Sequence, residues 1–315
     1  MMAFDIIGDV HGEVEALERL LRRLGYRKQG GAWRHTEYTA VFLGDLIDRG
    51  PYPRAVVDTV RRMVDEGSAY CVMGNHEFNA IAYHTRHPET GEYLRPHTAK
   101  NRRQHAATLR CYAYHRDRLR SDLEWFKGLP FWLEFDGLRA VHAAWEPSAL
   151  ERVRKVGLRD RADWPEAHPE AFDEGSELGM AAERLLKGVE WSLPGSVSFA
   201  DKDGHSRSQV RVRWWDAAPG RSWREIAFAG ADVLDQLPDA PVPEGYPSLC
   251  YPVTEPPVFV GHYWLTGKPE PLARNVACLD SRVARGGALV AYRFAGESQL
   301  SEHSFMGVRS CRTGG

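Results

Sequence analysis

At 315 residues the chain can hold one large or two modest domains, and 43% hydrophobic with 27% charged residues suits a globular protein with a sizeable core. A formal net charge of −2 gives no global attraction to nucleic acid or to a membrane surface, and no apolar run reaches the ~18 residues of a membrane span. Five scattered cysteines without a C-x-x-C pair (Cys71, Cys111, Cys250, Cys278, Cys311) read as reduced thiols, and no signal-peptide pattern opens the chain, so a cytoplasmic protein is expected.

Phe4–Ile7 is a short predicted strand ending in Gly8-Asp9-Val10-His11-Gly12. A helix follows, with Val14, Leu17, Leu20, Leu21 and Leu24 on one face and Gly25 as its C-cap. Residues 26–37 form a polar connection to the strand 39–43, which stops at Gly44-Asp45-Leu46-Ile47-Asp48-Arg49-Gly50. Pro51 and Pro53 open a second amphipathic helix that runs toward Gly67. The third strand, Ala69–Met73, ends in Gly74-Asn75-His76-Glu77. Strands alternating with helices predict βαβ units and a parallel sheet, and each strand stops at a glycine followed by metal- or proton-handling side chains.

Residues 83–103 are rich in His and Arg and aperiodic, which predicts a loop or cap, and 104–126 reads as one helix. Phe131–Phe135 and Leu138–His142 form a hairpin on Asp136-Gly137. Residues 146–256 show helical character only around 179–187 and read as a variable, substrate-facing region. Strand Pro257–Val260 ends in Gly261-His262; Arg274–Asp280 and Gly287–Phe294 are expected to close a second sheet, and the last dozen residues to fray. The domain expectation is one unit over 1–310, with 83–130 and 146–256 as variable segments and 311–315 as a tail.

The strand-end residues Asp9, His11, Asp45, Asp48, Arg49, Asn75, His76, His142 and His262 combine carboxylates, an amide and imidazoles. Such donors suit a hard-to-borderline divalent metal, and the absence of cysteine argues against a closed structural zinc site. Six oxygen and nitrogen ligands exceed the needs of one ion that also holds water and substrate. Two ions sharing a carboxylate fit better, and such pairs stand ~3.5–4 Å apart and clamp an in-line phosphoryl displacement.

Gly-Asp-Val-His-Gly, Gly-Asp-Leu-Ile-Asp-Arg-Gly, Gly-Asn-His-Glu, a strand-end His and a later Gly-His resemble the signature set of the phosphoprotein phosphatase family of binuclear metallophosphoesterases, bacterial branch. The resemblance implies a calcineurin-like α/β fold, a four-layer αββα sandwich with the metals at one edge. It implies that Asp9 and His11 bind one metal, that Asp45 bridges, and that Asn75, His142 and His262 bind the second. It makes His76 the general acid oriented by Asp48, and Arg49 the phosphate clamp. The family's second phosphate arginine has Arg211 and Arg213 as candidates. Two divalent ions, Mn²⁺ first and Fe, Zn or Ni as alternatives, would activate water for hydrolysis of a phosphomonoester.

Several positions depart from the family pattern. Met73 stands where the eukaryotic-type enzymes have Arg, Ala-Ala-Trp follows His142, Tyr263 follows His262, and Leu279-Asp280-Ser281-Arg282 carries Arg where the bacterial branch has Gly. That branch includes dinucleoside tetraphosphate hydrolases, the alternative activity. The symmetric cutters lack the Asp that Asp48 supplies, which favours a monoesterase or an asymmetric cutter. The partner is a phosphorylated substrate (phosphoprotein, nucleotide or dinucleoside polyphosphate), with neither membrane nor nucleic acid indicated. A silent binding module would have lost a ligand, and none is lost. Asp280 is expected to be structural, as are the remaining histidines, including His84, His105 and His205. Trp145 and Trp264 lie within three residues of proposed ligands and are the aromatic residues to follow.

Overall fold

The computed structural model describes residues 3–158, 163–195, 197–200, 206–246 and 250–310. The N-terminal Met1 and Met2, His205 and the predicted tail 311–315 lie outside them. Among the described residues, no helix is long and apolar enough to cross a membrane.

Chain order begins β1 (Ala3–Ile7), α1 (Val14–Leu24), β2 (Tyr38–Phe42), α2 (Pro53–Asp65), β3 (Ala69–Cys71) and α3 (Asn75–His84). It continues with α4 (Ala99–Gln104), α5 (Ala106–Cys111), α6 (Arg116–Lys127), and the hairpin β4 (Trp132–Phe135) and β5 (Leu138–Val141). After α7 (Pro147–Val156) and α8 (Glu177–Lys187) come β6 (Val258–Val260), β7 (Val276–Cys278), β8 (Ala288–Phe294) and β9 (Phe305–Arg309).

Strands β1, β2 and β3 pair in parallel, as the alternating pattern predicts. The second sheet has the order β7-β6-β5-β4. Period-two alternation then sorts the side chains into layers. Phe4, Ile6, Val41, Phe259, Ala277, Val290 and Tyr292 share one apolar cluster drawn from both sheets. Their neighbours Ile7, Phe42, Val258, Val260, Leu289 and Ala291 belong to a larger cluster with Leu17, Leu20, Leu21, Val56 and Leu185 of the helices. Helix, sheet, sheet, helix is therefore the layer order, and each fully buried side chain of this kind stabilises it by roughly 1.5–3 kcal/mol.

Four expectations are corrected. Strand β8 joins the first sheet, antiparallel to β1, where Asp5 meets Arg293 in register and accepts both its Nε and Nη2 hydrogen bonds. The tail expectation fails over Phe305–Arg309, because β9 satisfies the free edge of β8. The connection 26–37 contains a hairpin, Arg27–Gln29 with Ala32–Arg34, turned by Gly30 and Gly31. The single helix 104–126 is three helices, since the chain leaves helical geometry at His105 and again between Tyr112 and His115.

Candidate active site

Every proposed site residue lies just past the carboxyl end of a strand: Asp9 and His11 after β1, Asp45, Asp48 and Arg49 after β2, Asn75 and His76 after β3, His142 after β5 and His262 after β6. Glycine follows each of the first three strands and tolerates the tight turn there. Positive φ falls on the functional residues as well: His11 at 45°, Asp45 at 52°, Asp48 at 65°, Arg49 at 60°, His262 at 69° and Trp264 at 54°. Non-glycine residues bear that strain, of order 1–3 kcal/mol each, only where the surroundings over-determine it.

Much of that determination comes from Glu77. Its buried carboxylate accepts hydrogen bonds from the backbone N–H groups of Gly74 (3.2 Å), Asp45 (2.8 Å), Leu46 (2.9 Å) and Ile47 (3.2 Å). Gly44 and Gly74 pass so closely that a Cβ on Gly74 would stand 2.2 Å from the Asp45 nitrogen. Asp280 has a parallel job on the other side, accepting from Trp264 N (2.9 Å) and Arg282 N (3.0 Å).

At the centre, Asp45 is 2% exposed and its two oxygens face different imidazoles. Oδ2 lies 3.5 Å from His11 Nε2, and Oδ1 lies 3.4 Å from His142 Nε2. Around the first position, Asp9 Oδ2 stands 3.9 Å from His11 Nε2. Around the second, Asn75 Oδ1 lies 3.1 Å from His142 Nε2 and 2.9 Å from His262 Nδ1. His11 donates Nδ1–H to the Ile47 carbonyl (3.0 Å) and His142 donates to that of Leu43 (2.6 Å), which turns both Nε2 lone pairs inward. The buried His11 Nε2 has no hydrogen-bond partner. An orphaned lone pair among carboxylates is what a divalent cation would satisfy, and two groups of ligand atoms, His11–Asp45–His76 and Asp45–His142–His262, each lie within 4.8 Å of one another. The residues fit metal binding.

Burial pushes the His11 imidazole down to about 3, so it is a neutral ligand type at neutral pH. Burial also raises Asp9, with Asp280 adding to the effect. Burial opposes the charge on Asp45 as well, but His142 and His76 win and hold that carboxyl well below its usual range. The same pair works in reverse on His142, where Asp45 overcomes burial and lifts the imidazole to about 10. A proton on His142 and a cation are thus alternative partners for the same oxygens.

His76 donates Nδ1–H to Asp48 Oδ2 (2.7 Å), and its Nε2 faces the Nη2 of Arg49 (3.2 Å). The guanidinium of Arg49 stacks on Trp264, with its carbon 4.0 Å from the ring centre. The other oxygen of Asp48 accepts from His105 Nδ1 (2.9 Å) and from the Thr108 hydroxyl (2.5 Å). His76, Asp48, Arg49 and Asn75 open onto a cleft of 1990 Å³, whose lining includes Arg95, Lys100, Arg103, Arg211, Arg282 and Arg285.

Residues 2–182, more than half of the chain, match the calcineurin-like phosphoesterase family. The chain belongs to that family. Within it, 76 residues are 47% identical to an asymmetrical bis(5′-nucleosyl)-tetraphosphatase of Oceanobacillus iheyensis, covering 24% of this chain and 30% of that protein. The Bacillus subtilis counterpart is 41% identical over 76 residues, 24% of this chain and 31% of the relative. The match thus spans under a third of each relative's length. Two solved structures share the fold across 98% of this chain. One is a cold-active protein-tyrosine phosphatase of a psychrophilic Shewanella (15% identity, TM-score 0.51, 81% of that chain). The other is a protein serine/threonine phosphatase of Saccharomyces cerevisiae (12% identity, TM-score 0.50, 79% of that chain).

All nine predicted site residues gather at the strand ends, and of the two arginine candidates Arg211 lines the cleft while Arg213 is not among the lining residues. Trp145 packs below Arg139 in the core, whereas Trp264 faces the cleft. Sequence reasoning missed Glu77, His105 and Thr108. Glu77 stood inside a recognised motif, but its partners are backbone donors that no letter of the sequence marks. His105 and Thr108 approach from 57 and 60 positions beyond Asp48, with no local pattern to announce them.

Proposed function

We propose that the chain is a two-metal phosphoric-ester hydrolase that uses water and forms no covalent intermediate. The observation that carries this reading is the division of the Asp45 carboxylate between His11 and His142. Asp9, His11 and Asp45 would hold one divalent ion, and Asp45, Asn75, His142 and His262 the other, with Mn²⁺ the first candidate by ligand type. Bound there, such ions supply Lewis-acid polarisation of the phosphate and acidify water.

The protein's own groups do the rest. Arg49 takes two phosphate oxygens with its planar fork, and its stacking on Trp264 pre-orients that fork. Arg211 is the better second clamp. Once phosphate draws Arg49 away from His76 Nε2, that nitrogen is free to carry a proton to the leaving oxygen. Asp48 stabilises the resulting cation through Nδ1. We favour this acid role for His76 over metal ligation because the Arg49 cation faces its Nε2. In this reading residues 1–310 act as one cytoplasmic catalytic unit.

The substrate is a phosphomonoester, protein-borne or small. A dinucleoside polyphosphate is the second reading, favoured by the basic lining of the cleft and by the names of the sequence relatives. The test of the acid role is His76→Asn, which should lower kcat by roughly 10²–10⁴ for an alkyl phosphate and far less for p-nitrophenyl phosphate. Equal losses on the two esters would remove His76 from that role.

A further inference from the structure

We infer that Arg282 and Arg285 form a second anion-binding subsite beside Arg49, and that it selects a substrate whose anion continues past the scissile phosphate as a polyphosphate chain. The inference rests on the phosphoesterase reading and favours its second substrate class, the polyphosphate, over the monoester.

It begins with a residue in an unfavourable place. Arg282 sits at φ 59° and ψ 40°, the left-handed conformation that glycine adopts freely and that the bacterial branch's Leu-Asp-Thr-Gly pattern would fill with Gly. The chain carries arginine there instead. Asp280 fixes the arrangement with two backbone hydrogen bonds, to Arg282 N at 3.0 Å and to Trp264 N at 2.9 Å. One buried carboxylate therefore holds two strained residues, and both line the catalytic cleft.

Among the described residues no carboxylate lies within ion-pair distance of either the Arg282 or the Arg285 guanidinium, and Arg282 Nε is buried without a hydrogen-bond acceptor. Arg285 also lies over the ring of Trp264, its guanidinium carbon 5.8 Å from the ring centre where that of Arg49 is at 4.0 Å. The indole of Trp264 is thus shared by the scissile-phosphate clamp Arg49 and by Arg285. With Arg282 lining the same cleft, three guanidiniums are available to successive phosphates along a chain. A lone monoester would engage Arg49 and leave the other two unanswered. Planar forks suit phosphate oxygens, and charge-assisted bonds of this kind are the strong ones.

The test compares p-nitrophenyl phosphate with diadenosine tetraphosphate on the full-length, Mn²⁺-loaded protein, together with calorimetric binding of a methylene-bridged adenosine triphosphate analogue. Arg282→Gly restores the residue that fits the backbone, so it should fold at least as well as the parent; Arg285→Ala changes an exposed side chain. Each should cut kcat/KM on the tetraphosphate and the affinity for the analogue by roughly tenfold or more, leaving turnover of p-nitrophenyl phosphate within about twofold. Equal effects on both substrates, no effect on either, or a parent that prefers an acidic phosphopeptide to the tetraphosphate would overturn the subsite. A parent that hydrolyses neither substrate would instead overturn the phosphoesterase reading on which it rests.

Discussion

Two regions of this molecule build the same cleft by different means. Residues 3–142 contribute strands whose ends carry eight of the nine predicted site residues, and buried hydrogen bonds to the Glu77 carboxylate fix the backbone at Asp45, Leu46 and Ile47. Residues 146–256 contribute the helix α8 and several elements of two to four residues, which wall the cleft with side chains such as Phe172, Glu183, Lys187 and Arg211. The first region has almost no freedom to vary because chemistry and backbone compete for the same space. The second has to present only charge and shape. Substitutions of one kind should therefore be severe in the first and mild in the second.

A matched pair of glycines makes the comparison sharp. Gly74→Ala drives a Cβ against the Asp45 nitrogen at 2.2 Å and the Glu77 carboxylate at 2.5 Å, both parts of the buried lattice. It should cost about 3 kcal/mol or more of stability in a denaturant melt, with loss of turnover. A stable and active Gly74→Ala protein would show that the lattice is not what fixes Asp45.

An intermediate effect is expected at His105, which supports the site from within the first region. It reaches from the junction of α4 and α5 to hold the Asp48 oxygen that His76 does not use. His105→Ala leaves Thr108 in place on that oxygen, so Asp48 should be loosened and not lost. Turnover of an alkyl phosphate should fall about tenfold with KM little changed, and p-nitrophenyl phosphate should suffer less. Equal losses on both esters would make His105 a packing residue only.

The smallest effect belongs to Gly220→Ala in the second region. Gly220 has φ +79° and nothing within 4 Å of a new Cβ, so only the backbone preference is felt. The expected loss is about 1–2 kcal/mol with catalysis intact. A larger loss would mean that this region is as tightly specified as the first.

The same contrast explains what the sequence revealed. Asp9, His11, Asp45, Asn75, His142 and His262 were legible as candidates because metal ligation would need such side chains, and because strand, glycine and candidate ligand recur in order. The layers followed from the family resemblance, since β1, β2 and β6 read as short apolar strands without a face to tell apart. Pairing was not: nothing in Ala288–Phe294 says that it lies against β1, since the partner of a strand is set by packing at long range. Phe305–Arg309 read as a tail because an edge strand with one glycine has little pattern of its own. Helix α7 escaped notice although Glu146 caps it, accepting from Ala149 N at 2.7 Å, because Glu is not a usual cap. The double role of Asp48, accepting from His76 with one oxygen and from His105 and Thr108 with the other, exists only in three dimensions.

The central claim is that Asp45 is shared between two ions. The direct measurement is the number of Mn²⁺ ions retained per chain, by calorimetric titration of chelator-treated protein, for the parent and for Asp45→Asn. Two ions are expected for the parent, with weakened binding at both positions in the variant and phosphate release lowered on the order of 10³-fold or more. Asp45→Asn protein that holds two ions as tightly as the parent and turns over at the parental rate would contradict it.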